Sequence, residues 1–172
     1  MLFAVETKFS NGDLSLDMTI CKTNDIIWMI SSGQRLLGLD IGKKTIGLAL
    51  SDRGLKIASP LKILYRTKFT LDATKLLKMI DAESIGGLVL GWPINMDGSL
   101  GPRCDSVRDF TKSILRVKDL PIFFQDERMS TMAIERPMIM EDMTRKKRSV
   151  RTDQLAACWI LQTALDGLQK KM

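Results

Sequence analysis

Histidine is absent from all 172 residues. No imidazole is available as general base, general acid or metal ligand, which removes the Ser-His-Asp, Cys-His and paired-His nuclease chemistries together. Hydrolysis by this chain would have to use carboxylates and metal ions. Cysteine is scarce: Cys21, Cys104 and Cys158 are scattered, odd in number and without metal-ligand spacing, which argues for a reducing compartment and against a disulfide framework or structural zinc. No apolar run approaches the ~20 residues of a membrane span, so no membrane partner is expected. Internal repeats and low-complexity tracts are missing as well.

What is present is the balance of a soluble globular chain, 45% hydrophobic and 27% charged, long enough for one domain with a substantial core but not for a second full lobe. Lys and Arg number 26 against 20 Asp and Glu, a net charge of +6. That excess favours a polyanionic partner and makes nucleic acid the default.

Residues 1–34 mix polar and apolar positions without a sustained period, and only Ile26 to Ile30 forms an apolar cluster. The cluster is too short for a signal-peptide core, and Glu6, Asp13, Asp17 and Asp25 argue against a transit peptide. This segment is expected to be a flexible or loosely docked extension, with Met29 as an alternative start of translation. From Arg35 the pattern changes. Arg35 to Ile41 reads as a strand, Gly42 to Thr45 as a tight turn and Ile46 to Asp52 as a returning strand. Ile57 to Tyr65 supplies a third strand, with Pro60 placing it at an edge or a bulge. Thr70 to Asp81 carries apolar residues at helical spacing, and Ile85 to Leu90 is an apolar strand that stops at Gly91, Trp92 and Pro93. A Gly-rich loop, Asn95 to Gly101, precedes a helix marked by Val107, Phe110, Ile114 and Leu115. Pro121 to Gln125 is a fifth strand with Asp126, Glu127 and Arg128 at its end. A short helix is expected from Ser130 to Pro137, a mobile basic loop over Glu141 to Val150, and a last helix from Thr152 to about Leu168. Three strands in meander followed by alternating helices and strands indicate an α/β domain over residues 35–172, a central mixed five-stranded sheet flanked by helices.

The acids carry the chemistry. Side chains alternate along a strand, so Leu37, Leu39 and Ile41 share one face while Leu36, Gly38 and Asp40 share the other. A carboxylate in an apolar strand needs a partner. Asp40 could cap the turn or meet an Arg, or it could hold a metal ion. Asp126 and Glu127 lie at a strand end, where sites in open α/β sheets gather. Asp153 opens the stripe Ala157, Ile160, Ala164 on the last helix, so it should face the sheet, although an acid is also favoured there by the helix dipole. Several acids directed to one rim would repel, and divalent cations relieve that repulsion while positioning a phosphodiester. The run Arg145, Lys146, Lys147, Arg148 with Arg151 is either a solvated loop or a phosphate-contacting arm. Gly91, Pro93 and Gly98 either shape a turn or let backbone amides approach a phosphate.

Four separated motifs, LLGLDIGKKTIGLALSD, VLGWPINMDGS, QDERMSTMAIE and KKRSVRTDQLAACWILQ, together resemble the YqgF family of pre-16S ribosomal RNA nucleases, also described as Holliday-junction-resolvase-like. The resemblance spans about Leu36 to Leu168. It implies a ribonuclease H-like fold, a cytoplasmic protein, Mg²⁺ or Mn²⁺ as cofactor, and processing of the 5′ end of pre-16S rRNA, with the small-subunit precursor as a possible partner. It implies that the Asp-x-Gly acid is Asp40, the Asp-Glu-Arg motif Asp126, Glu127 and Arg128, and the late acid Asp153. The metal ligands are then Asp40, Glu127 and Asp153, with Asp126 a further catalytic candidate. Lys44, Arg128, Arg145, Lys146, Lys147, Arg148 and Arg151 are the candidate nucleic-acid contacts. Thr45 stands where many relatives have Arg, and Trp92 where Leu is usual. The fourth strand ends without the acid of better characterised ribonuclease H-like nucleases, and Asp97 is the residue available to substitute.

Two other classes compete. An actin-like ATPase or sugar kinase uses a similar Asp-x-Gly hairpin but needs two lobes, and no second hairpin is visible. A non-catalytic RNA-binding assembly factor could retain the same fold. Carboxylates and metal do not identify the sugar, so a resolvase acting on branched DNA stays open beside the RNA nuclease, and oligomeric state is not legible.

Overall fold

The computed structural model describes residues 25–126 and 145–170. In chain order the elements are α1 (Asp25–Met29), β1 (Arg35–Ile41), β2 (Thr45–Ser51), β3 (Ala58–Tyr65), α2 (Phe69–Ala82), β4 (Ile85–Trp92), α3 (Pro102–Leu115), β5 (Ile122–Asp126) and α4 (Arg145–Gln169). The five strands form one sheet in the order β3-β2-β1-β4-β5. β1 pairs antiparallel with β2, which pairs antiparallel with β3, whereas β4 runs parallel to both β1 and β5. β3 is an edge strand, and Pro60 sits where its register with β2 shifts. A residue without an N–H is tolerated at such a place. Among the described residues no helix is long and apolar enough to cross a membrane.

Both faces of the sheet are covered. On one, Leu37, Leu39 and Ile41 of β1 with Leu88, Leu90 and Trp92 of β4 pack against Leu76 and Ile80 of α2 and Val107, Phe110 and Ile114 of α3. On the other, Leu36, Ala49 and Val89 pack against Ala157, Ile160, Leu161, Ala164, Leu165 and Leu168 of α4. The alternation in β1 therefore divides two buried faces, so the central strands are almost continuously apolar.

Gly38 fixes how closely α4 approaches. A Cβ built there would lie 2.7 Å from the Leu161 Cβ and 2.9 Å from the Ala157 carbonyl oxygen. Only a residue without a side chain lets the helix backbone reach the strand.

Two elements differ from expectation. The basic stretch at residues 145–150, expected to belong to a mobile loop, is the first part of α4. No Gly or Pro occurs from Met138 to Asp166, and Lys and Arg are good helix formers, so the propensity of the run outweighs its charge. The short helix expected from Ser130 to Pro137 lies outside the described residues. Within the segment expected as an extension, residues 25–34 include α1, whose Ile26 is 1% exposed and joins the α4-side core. Its Cδ1 occupies the space over Gly87, 3.2 Å from where a Cβ would stand. Residues 1–24 lie outside the described residues.

Two stability predictions follow from these contacts. Ile26→Ala should lower unfolding free energy by about 2–4 kcal/mol, the cost of emptying a filled core site. A chain begun at Met29 should lose at least as much, measured by urea denaturation. Gly38→Ala should destabilise by at least about 2 kcal/mol, because the neighbours it would meet are a helix backbone oxygen and a side-chain root that cannot swing aside. Equal midpoints for Gly38→Ala and parent would mean that α4 yields freely.

Candidate active site

Asp40 lies one residue from the carboxyl end of β1, opposite Gly47 of β2. Its neighbours Leu39 and Ile41 are 0% and 6% exposed, while Asp40 itself is half-buried. Alternation gives it the face of Leu36 and Gly38, the side on which α4 packs. The chain then turns at once: the Gly42 N–H donates to the Thr45 carbonyl at 2.9 Å, and Lys43 and Lys44 are exposed. A glycine suits position 42, since a Cβ would meet the Thr45 oxygen at 3.0 Å.

Asp126 is the last residue of β5 and pairs with Trp92 at the end of β4. Leu39 pairs with Leu90, and Gly91 with Gln125, so Asp40, Gly91 and Gln125 lie at about one level across three strands. Asp126 stands one residue further along. Ile122 and Phe124 belong to the core beneath α2 and α3, and alternation gives Asp126 that face. Asp40 and Asp126 thus sit at the same end of the sheet but on opposite faces, about 10 Å apart across two strand spacings. Gln125, with the parity of Phe123, has the face of Asp40, and it is 8% exposed.

Glu127 and Arg128 lie outside the described residues. Asp153 occurs in the first half of α4, four residues before Ala157. The stripe that begins with it is buried as expected: Ala157 and Ile160 are 0% exposed and Ala164 is 1%. Arg145, Lys146, Lys147, Arg148 and Arg151 all belong to the opening turns of the same helix. Among the described residues, no group of three or more Asp, Glu, Cys or His side chains could hold a metal ion.

The loop after β4 is engaged with itself. Asp97 is exposed, and its Oδ1 accepts from the Ser99 N–H at 2.9 Å and the Ser99 hydroxyl at 2.6 Å. These bonds hold its carboxyl below the usual carboxylate range. The Gly98 N–H donates to the Asn95 carbonyl at 2.9 Å, with Gly98 at φ +85°. The turn explanation for Gly98 therefore accounts for both its amide and its conformation. Trp92 is 0% exposed, with its ring 4.7 Å from that of Phe124. An indole takes up the end of β4 on the face away from Asp40.

A sequence profile of the RuvX family, described as Holliday junction resolvase, matches residues 34–167. The chain belongs to this family. A relative from Paramagnetospirillum magneticum, named "Putative pre-16S rRNA nuclease", is 50% identical over 150 residues, 87% of this chain and 97% of the relative. One of the same name from Ruegeria is 52% identical over 134 residues, 78% of this chain and 85% of the relative. Among solved structures, Thermus thermophilus RuvC in complex with a Holliday junction substrate superposes with a TM-score of 0.51 at 14% identity. That match covers 80% of this chain and 96% of RuvC. The fold is ribonuclease H-like, and the chain is a nuclease of the hydrolase class.

Reading the sequence missed two features: the close approach at Gly38 and the phase of Asp126. A glycine interrupting a buried strand was the available signal for the first. The second needed strand pairing. Because Asp97 is bonded within its own loop, Asp97→Ala should leave the cleavage rate within about twofold of the parent. A loss of a hundredfold or more in single-turnover cleavage would make it a member of the site.

Proposed function

We propose that this chain is a divalent-metal-dependent phosphodiester hydrolase that acts on structured nucleic acid in the cytoplasm. In this reading it processes the 5′ end of pre-16S ribosomal RNA, on its own or on the small-subunit precursor. The observation that carries the reading is the half-buried carboxylate of Asp40 at the end of a central strand, beside the glycine against which α4 packs. An acid held partly out of water gains from a cation. The identity of the relatives, about half over most of the chain, supports the RNA substrate.

Asp40, Glu127 and Asp153 are the proposed ligands. An all-oxygen, carboxylate-rich set suits a hard cation such as Mg²⁺ or Mn²⁺. Bound there, such an ion would acidify the attacking water and offset the charge on the scissile phosphate. The face of Asp126, away from that of Asp40, supports Glu127 over Asp126 as the second acid. Helix and strand spacing support Asp153. It precedes Ala157 by one turn, about 6 Å, while Asp40 follows Gly38 by two residues, about 7 Å. The two steps from the Gly38 contact are of similar length. Without imidazole, the proton released by the water passes to a carboxylate or to solvent. Lys44, Arg128 and the cations of the Arg145 to Arg151 run would hold flanking phosphates.

A second reading, cleavage of branched DNA, is favoured by the description of the family. Side-by-side assays on structured RNA and a four-way DNA junction, each with Mg²⁺ and with Mn²⁺, separate the two. Cleavage of the RNA near the end of the mature sequence is expected, and action on the junction alone would reverse the assignment. Chelation should abolish cleavage, with recovery on adding either ion. Asp40→Asn should reduce the rate by at least about a thousandfold without changing the thermal midpoint downward, since shape is kept and the charge is lost. Unchanged turnover in that variant would refute the role of Asp40.

A further inference from the structure

The side of α2 opposite its core contacts carries Lys68 at the N-cap, then Leu71, Lys75 and Lys78, all exposed and spaced by three or four residues. Ala73, Leu76 and Ile80 are buried on the inner side. Phe69 meets Phe110 of α3 edge-on at 5.7 Å, so α3 flanks α2 on the side away from the lysines. From Lys68 to Lys78 the helix rises about 15 Å.

The N-terminal end of this row joins the turn that follows Asp40. The Arg66 N–H donates to the Lys44 carbonyl at 2.8 Å, and Arg66 Nη1 donates to the Gly42 carbonyl at 2.7 Å. Asp72, buried, accepts from both the Thr67 N–H and the Thr67 hydroxyl at 2.9 Å. These bonds tie the Lys43–Lys44 turn, residues 66–67 and the start of α2 into one rigid unit. Lys43, Lys44, Lys68, Lys75 and Lys78 thus make a continuous ridge leading away from the candidate site.

The ridge carries no counter-charges of its own. Elsewhere Arg35 pairs with Glu83, Arg108 with Asp105 and Lys118 with Asp81. Among the described residues, none of the five ridge lysines makes an ion pair, and the acids of α2 do not neutralise them. Asp72 is turned inward on Thr67, and Asp81 is held by Lys118. Aligned cations without counter-charges fit a regularly spaced polyanion. The exposed row on α2 carries no aromatic ring, the usual platform for single-stranded bases, and the exposed ring of Tyr65 lies on the edge strand β3, opposite Thr45.

We propose that the α2 ridge is a second nucleic-acid contact, binding the backbone phosphates of a duplex arm that extends from the cleavage position. The proposal rests on the assignment of the site to Asp40. It is independent of the basic run on α4.

The test is the double variant Lys75→Ala/Lys78→Ala, both positions exposed and remote from the carboxylates. Its affinity is measured against salt on a four-way DNA junction with arms of about 20 base pairs, long enough for many phosphate contacts. Each lost phosphate contact reduces the log-log slope by about 0.9 on duplex DNA, so a fall of about 1.8 is expected. A structured RNA with a stem of similar length should show a fall in the same direction. KM should rise with kcat unchanged. Lys112→Ala on α3, and an oligonucleotide without duplex arms, should show no change in slope. Equal slopes for parent and double variant on the junction would overturn the proposal, as would an equal fall on the single strand. Asp40→Asn separates the two claims: lost cleavage with equal slopes for parent and ridge variant keeps the site and rejects the ridge. Retained cleavage in Asp40→Asn with a reduced slope in the ridge variant rejects the site and leaves a duplex-binding surface.

Discussion

The approach of α4 to β1 at Gly38 is the constraint on which the rest of the structure depends. A long helix laid across a sheet normally stands off by the depth of two side chains. Here one side chain is missing, and the Ala157 carbonyl and Leu161 Cβ occupy the space where it would be. The small residues at 157 and 164 belong to the same fit. The contact sets the height of the helix over the strand that carries Asp40. It also leaves the first turns of α4, with their basic residues and Asp153, to extend beyond it. The sheet end, the hairpin turn and the helix start are then related through a close-packed contact rather than through loops, which is how a site is held to within tenths of an ångström.

The lack of histidine gives that rigidity its importance. A nuclease that relies on carboxylates and a cation gains rate from charge placement, which depends steeply on distance, more than from proton transfer by a side chain. A carboxylate in an apolar strand is costly in isolation and favourable beside a cation.

Most of the fold was legible because the periods were clean. β1, β4 and α2 follow from apolar runs bounded by turn residues and from three-to-four spacing, and the inward stripe of the last helix is buried at Ala157, Ile160 and Ala164 as its spacing required. Asp40 also stood out in the sequence as a candidate, since an acid amid Leu and Ile is conspicuous, and it lies at the end of a central strand as its position required. Charge misled at residues 145–150, where a cationic run looked like a loop although nothing in it breaks a helix. The face of Asp126 could not be read, because two adjacent acids at a strand end have no phase until the strand is paired with β4. The burial of Ile26 escaped for a related reason: one apolar side chain filling the space above Gly87 leaves no periodic trace. The lysine ridge on α2 was hidden because exposed lysines on an amphipathic helix are ordinary, and what distinguishes them is the bonding of residues 66–67 to the turn after Asp40, which only the fold reveals.

The central claim is that Asp40 and Asp153, 113 positions apart by subtraction of their numbers, serve one cation. Mn²⁺ affinity measured by electron paramagnetic resonance across a double-mutant cycle of Asp40→Asn and Asp153→Asn tests it most directly. Shared ligation predicts that each single change weakens binding by at least about tenfold and that the double variant loses far less than the product of the two, the signature of coupled sites. Strictly multiplicative losses, or an Asp153→Asn variant that binds Mn²⁺ as tightly as the parent, would contradict the account.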